Sequence, residues 1–87
     1  MILLYTDFGF SGPYVGEMRA ALAQIAPGVT CIDLMHDAPA FSPEPAGFLL
    51  EALSNRLPPR SVTVAVVDPG VGTDRRPLVA HAGDQWY

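Results

Sequence analysis

Val62-Thr63-Val64-Ala65-Val66-Val67-Asp68-Pro69-Gly70-Val71-Gly72-Thr73-Asp74-Arg75-Arg76 reads as a buried strand that stops on a carboxylate and opens into a glycine-rich loop. The run Val62 to Val67 is β-branched and lacks polar alternation, which predicts a central strand of a parallel sheet. In α/β folds ligands bind at the C-terminal ends of such strands. The loop that follows combines an acid, two permanent cations and glycines that let backbone approach a ligand closely. Asp-Pro-Gly is also a favoured tight-turn composition, so Asp68 to Gly70 alone fits a plain turn. Gly72 and Arg75-Arg76 are not needed by a turn and point to a site. Gly70-Val71-Gly72 lacks the third glycine and the following helix of a dinucleotide loop.

Upstream of this strand the pattern repeats. Ile2 to Tyr5 predicts a short buried strand, followed by the loop Thr6 to Gly12. Pro13 suits a first helical position, with Ser11 or Gly12 as cap. Tyr14, Val15, Met18, Leu22 and Ile25 then share one helical face, and Pro27-Gly28 ends the helix. Val29 to Leu34 predicts a second strand and Met35 to Phe41 a loop. Ser42-Pro43-Glu44 starts a second helix, with Phe48, Leu49, Ala52 and Leu53 as its apolar face and Pro58-Pro59 as its stop. Leu78 to Ala80 predicts a fourth strand, and Gln85-Trp86-Tyr87 the beginning of a fifth.

The expected fold is therefore α/β: a three-layer α/β/α arrangement around a mainly parallel sheet, in the order β-α-β-α-β-β. Two right-handed crossovers make the first three strands parallel and gather their C-terminal loops on one edge. Those loops are Asp7-Phe8-Gly9, His36-Asp37 and Asp68 to Arg76.

Composition narrows the function classes. The chain has 87 residues, 49% of them hydrophobic, with mean hydropathy +0.24. A chain of this size buries only roughly 60–65% of its unfolded surface, so surplus apolar residues suit packing against a partner or further chain. The net charge is −4, all five cations are arginine, and no basic stripe exists, which argues against nucleic acid as a partner. No apolar run approaches the ~20 residues of a membrane span. The N-terminus has no basic region before its short apolar stretch, so the cytoplasm is the expected compartment. Cys31 is the single cysteine and lies in an apolar run, as a buried inert thiol does.

Candidate residues carry two readings each. Asp7 ends a strand and suits either a loop cap or the vicinal hydroxyls of a ribose. Phe8 and Phe41 lie in loops, where an aromatic either packs or stacks on a base. His36 and Asp37 are adjacent on an extended segment and point to opposite faces, so His36 reads as a structural hydrogen-bonding residue. His81 has no evident partner. No His/Cys/Asp cluster has metal-ligand spacing, so no metal is expected, and no serine sits in a nucleophile elbow.

Thr6-Asp7-Phe8-Gly9, Pro13 to Met18, Asp33 to His36 with Pro39 and Phe41, and Val66 to Thr73 with Arg75-Arg76 together resemble the S-adenosyl-L-methionine (SAM) hydroxide adenosyltransferases. These are adenosine-forming SAM hydrolases related to the fluorinase and chlorinase. The resemblance runs over essentially the whole chain. It implies cleavage of SAM, as substrate and with no cofactor, at the ribose C5′ to give adenosine and methionine. It implies Asp68 and Arg75 as residues that hold the attacking water, Asp7 on the ribose hydroxyls, and Phe41 lining the nucleoside pocket. Phe8 and Thr73 are the further candidates for substrate contact. The halogenating relatives carry a different residue where Asp68 stands, so the resemblance implies hydrolysis. It also implies a longer protein: this domain, then a C-terminal β-rich domain, assembled as a homo-trimer with sites between neighbouring subunits. The chain stops at Tyr87, short of the third water-holding residue, a histidine. An incomplete N-terminal domain without the C-terminal one is the resulting expectation. The alternative is a non-catalytic nucleoside-binding or oligomerisation fragment of the same fold.

Overall fold

A computed structural model describes residues 1–87. The elements are β1 (Ile2–Thr6), α1 (Tyr14–Ile25), β2 (Cys31–Met35), α2 (Pro43–Ser54), β3 (Val62–Val66), β4 (His81–Ala82) and β5 (Gln85–Trp86). They form one sheet in the order β2-β1-β3-β5-β4. β1 is parallel to both β2 and β3, and β3 is parallel to β5. Only β4, which returns against β5, is antiparallel. This is the expected α/β fold with a mainly parallel sheet.

The apolar run of β1 explains its place. Leu3, Leu4, Tyr5 and Thr6 are all buried, as a strand flanked on both edges and covered on both faces must be. Successive side chains alternate between faces, and two contacts show which helix covers which. Leu4 is in register with Asp33 of β2, and Arg19 of α1 reaches Asp33 at 3.0 Å. On the opposite face, the Tyr5 hydroxyl donates to the Ala46 carbonyl of α2 at 2.8 Å. The helices therefore lie on opposite sides, giving three layers. The physical cause is handedness. The step from β1 to β2 and the step from β2 past β1 to β3 run in opposite directions, so two right-handed crossovers place their helices on opposite faces.

The core is small. Tyr5, Ala38 and Ala46 form its centre, with Leu34, Met35, Leu50, Leu53 and Val67 packed around them. Burial pushes the Tyr5 phenol above its ordinary pKa. Beyond this cluster the sheet is thinly covered. β3 is central by pairing, yet Val62 is 41% exposed. β2 is an edge strand, and Cys31 is half-buried there, not enclosed as expected.

Several local expectations need correction. Pro13 is the cap residue of α1, not its first helical position, and no side chain of the preceding loop caps the helix. Neither Ser11 nor Gly12 takes that role. No residue of α1 is fully buried. Tyr14 and Ile25, at the two ends of its apolar stripe, are largely exposed. Ser42 is the cap of α2 and Pro43 its first residue, but the Ser42 hydroxyl donates backwards to the Ala40 carbonyl and does not cap the helix. The second strand starts at Cys31, not Val29.

The fourth strand is His81–Ala82, not Leu78 to Ala80; Leu78 and Val79 are largely exposed to solvent. A two-residue turn, Gly83-Asp84, decides this register. It needs a positive φ at its first position, and Gly83 supplies +58°. Pairing His81 with Trp86 also stacks their rings at 4.4 Å, giving His81 a partner that the sequence did not reveal. The expected start of a fifth strand at Gln85 is β5. Gln85 is buried and bridges the hairpin to the body, accepting from Ser61 at 2.5 Å and donating to the Pro58 carbonyl at 2.7 Å.

Candidate functional site

The C-terminal ends of β1, β2 and β3 share one edge of the sheet, and their loops are tied to one another there. The Gly9 amide donates to the His36 carbonyl at 2.6 Å, and the Ala38 amide donates to the Thr6 carbonyl at 3.1 Å. The Asp7 amide donates to the Val66 carbonyl of β3 at 3.3 Å. β1 lies between the other two strands, so its loop is held from both sides. The convergence expected from topology is present.

A cleft of about 390 Å³ opens at this edge, lined by Asp7, Phe8, Tyr14, Phe41, Val66, Asp68 and Val71. Its walls are mainly apolar and aromatic, with a carboxylate from each of two strands. That is the composition of a small-molecule site in which a few polar groups orient an otherwise apolar ligand. Phe8 and Tyr14 stand 5.9 Å apart, ring to ring, at 56°.

Asp7 holds a neighbouring loop as well as facing the cleft. Its Oδ2 accepts the Phe41 amide at 2.8 Å. Phe41 has a φ of +51°, a left-handed conformation that non-glycine residues adopt at a cost of roughly 1–2 kcal/mol. The carboxylate compensates for that conformation by satisfying the amide it turns inward. Phe41 is 69% exposed, so its ring is presented to the cleft and not spent on the core.

At the other end, Asp68 sits just past β3. Its Oδ1 accepts the Gly70 amide at 2.8 Å, and Arg75 Nη1 lies 3.1 Å from the same oxygen. The loop closes on itself: the Thr73 amide and hydroxyl both donate to the Gly70 carbonyl. Gly70 leaves room for the Arg75 side chain to fold over it. A Cβ there would overlap Arg75 Cδ and press on Asp68 Oδ1 and Thr73 Oγ1. The turn reading of Asp68-Pro69-Gly70 and the site reading are thus both expressed, since the turn is what folds Arg75 back onto Asp68.

Of the residues singled out by sequence, Asp7, Phe8, Phe41 and Asp68 line the cleft together. Arg75 joins them through Asp68. Thr73 does not line the cleft; its hydroxyl is engaged within the loop. Spacing assigns Tyr14 to a helix face, and the structure puts it in the cleft. Its place as the first residue of α1, directly after the loop of β1, is the available signal. Val66 and Val71 complete the lining and carry no sequence signal beyond their apolarity. His36 is buried and bonded to Thr6 at 2.8 Å, in keeping with its structural reading. No group of His, Cys, Asp or Glu side chains is arranged to hold a metal ion. No helix is long and apolar enough to cross a membrane.

Comparison with known proteins identifies the family and the fold. The profile of the SAM hydroxide adenosyltransferase N-terminal domain matches residues 2–87. An (R)-S-adenosyl-L-methionine hydrolase of Thermus thermophilus is 42% identical over 79 residues, covering 91% of this chain and 31% of the relative. One of Methanocaldococcus jannaschii is 33% identical, covering 100% of this chain and 34% of that protein. Among solved structures, an uncharacterized conserved protein from Thermotoga maritima superposes with a TM-score of 0.89 at 37% identity, over 99% of this chain and 33% of its own. A conserved hypothetical protein from Thermus thermophilus gives a TM-score of 0.81 at 42% identity, over 99% of this chain and 36% of its own. The chain thus spans about a third of the length of these relatives. Fold, motif order and sequence identity agree, and the chain belongs to the SAM hydroxide adenosyltransferase family through its N-terminal domain.

Proposed function

We propose that this chain carries the nucleoside-binding and water-orienting part of a SAM hydrolase site. The reaction is SAM plus water to adenosine plus L-methionine, with release of one proton. The observation that carries this reading is the Asp68–Arg75 pair at one end of an aromatic-walled cleft whose other end holds Asp7. Asp7 Oδ2 is taken by the Phe41 amide, which leaves Oδ1 to accept protons from two ribose hydroxyls. Phe8, Tyr14 and Phe41 offer ring faces to the adenine. In this reading the ribose C5′ faces Asp68.

The chemistry asks little of the protein. The sulfonium leaves as a neutral thioether, so no general acid is required. A water attacks C5′ as the C5′–S bond breaks, and the electron pair of that bond stays on sulfur. Asp68 accepts the water's proton. Arg75 steadies the developing hydroxide character by its charge. The reading implies the cytoplasm as the compartment that supplies SAM. It also fits a homo-trimer, because apolar side chains such as Ile25, Phe48, Leu78 and Val79 stand exposed.

A second reading has one observation in its favour. Asp68 Oδ1 is already engaged by both the Gly70 amide and Arg75, which suits a cleft that binds a nucleoside without turning it over. The test is incubation with SAM and chromatography for adenosine, with Asp68→Asn as control. Adenosine formed by the wild type and lost in the variant supports hydrolysis. Equal turnover by both ends the role given to Asp68. Adenosine binding with no turnover by the wild type selects the second reading.

A further inference from the structure

His36 is a buried titratable residue that the proposed chemistry does not use. It is 1% exposed. Its closest contacts hold the loop that follows β1. Its Nδ1 lies 2.8 Å from Thr6 Oγ1. That same oxygen accepts the Phe8 amide at 3.3 Å. The His36 carbonyl accepts the Gly9 amide at 2.6 Å, and the Phe10 ring stands edge-on to the imidazole, 6.0 Å away.

A hydroxyl can donate once and accept twice, so Thr6 Oγ1 accepts from Phe8 and still bonds His36 Nδ1, as donor or as acceptor according to the ring tautomer. Nε2 makes no aligned hydrogen bond, but Asp33 Oδ1 lies 3.3 Å from it. Asp33 in turn is fixed by Arg19 of α1. A chain of polar contacts therefore runs from α1 through Asp33, His36 and Thr6 to the amide of Phe8, a wall of the cleft.

We infer that His36 is a positioning residue: through the Thr6 hydroxyl and its own carbonyl it sets the Asp7–Phe8–Gly9 loop in the conformation that receives the nucleoside. The inference rests on the nucleoside reading for its ligand, but not for its geometry. Side chain and backbone of one residue grip both halves of that loop. A leucine would fill the space and remove the hydrogen-bonding partner of Thr6. An asparagine keeps a hydrogen-bonding group near the place of Nδ1.

The test compares wild type, His36→Leu and His36→Asn by amide hydrogen exchange and by adenosine titration. In His36→Leu the Phe8 and Gly9 amides exchange about tenfold faster while the Leu4 and Val64 amides hold their rates, and adenosine binds about tenfold more weakly. His36→Asn restores both to within about threefold of wild type. A uniform rise in exchange across the sheet, or an asparagine variant no better than leucine, overturns the inference, because either means that His36 merely fills space. Wild type that fails to bind adenosine sinks the nucleoside reading, and the exchange pattern still decides the role of His36. Should His36→Leu not fold, His36→Met against His36→Gln asks the same question. Faster Phe8 and Gly9 exchange in His36→Met only supports the relay, and equal rates in both refute it.

Discussion

Replacing Phe41 by glycine separates a cleft residue from a core residue, because the two roles carry stability effects of different size. Phe41 is 69% exposed, so about a third of its ring surface is covered, or ~60 Å² of the ~200 Å² an aromatic offers. Losing that contact costs about 1.5 kcal/mol at ~25 cal/mol per Å². Glycine adds a backbone entropy cost of roughly 0.5–1 kcal/mol. Against these stands the φ of +51°, which glycine adopts freely and which costs phenylalanine roughly 1–2 kcal/mol. The Asp7 carboxylate still accepts the residue 41 amide, so the loop anchor survives. The terms largely cancel, and Phe41→Gly is expected to lower the unfolding free energy by no more than about 1.5 kcal/mol. Removing a buried aromatic costs about 3–5 kcal/mol. Binding behaves differently. A ring that stacks on a base contributes roughly 1–3 kcal/mol, so adenosine affinity falls between about fivefold and about a hundredfold. Urea denaturation and calorimetric titration with adenosine measure the two quantities on one preparation. Destabilisation of about 3 kcal/mol or more, or an unchanged adenosine affinity, refutes the reasoning.

Gly70→Ala tests the opposite end of the cleft without removing any functional group: the added methyl displaces Arg75 from Asp68. That pair is exposed and is worth about 0–1 kcal/mol at most, so the melting temperature stays nearly constant while adenosine formation falls by about a hundredfold or more; full turnover in the variant means that the pair has no part in the chemistry. Tyr5 couples the fold to alkaline pH. Its phenol is raised above the ordinary value of 10.0 by burial, so the folded state keeps a proton that the unfolded chain has lost. The stabilisation is complete below about pH 10 and is lost as pH climbs through the folded pKa. Tyr5→Phe gives up the bond to the Ala46 carbonyl, at about 1 kcal/mol, and flattens the Tyr5 contribution to the alkaline decline; melts from about pH 9 to about pH 11 in which wild type and variant decline in parallel contradict this. Gln85→Leu leaves the Ser61 hydroxyl and the Pro58 carbonyl without their partner and is expected to cost about 2 kcal/mol, with faster amide exchange through β4 and β5; a variant as stable as the wild type shows that the bridge is idle.

The alternation of strands and helices was legible because each element depends on side-chain spacing over a few residues. β1, β3 and α1 fall within a residue or two of their expected bounds, whereas α2 ends at Ser54, ahead of the Pro58-Pro59 stop. The fourth strand was misplaced, since Leu78 to Ala80 is as apolar as a strand while His81-Ala82 is not. The turn at Gly83-Asp84 and the pairing of His81 with Trp86 set that register, and neither follows from apolarity. The same limit explains why Tyr14 is not legible as a cleft residue and why the inward bond of the Thr73 hydroxyl is not legible either. Spacing shows a helical face without showing what it meets, and the inward bonds of a loop depend on its φ angles.

By itself, the sequence determined an α/β alternation with acid-bearing loops after its strands, and a family signature in those loops. These are local properties, set by hydrophobic period, proline and glycine positions, and residue identity. Only the tertiary structure decided that β1 lies between β2 and β3. It also decided that Asp7 holds the amide of a strained Phe41 34 positions away, and that Arg75 closes onto Asp68. The physical reason is that strand order and loop closure are set by free energies shared among residues distant in the chain. No local pattern records them, although the cleft exists only through their sum.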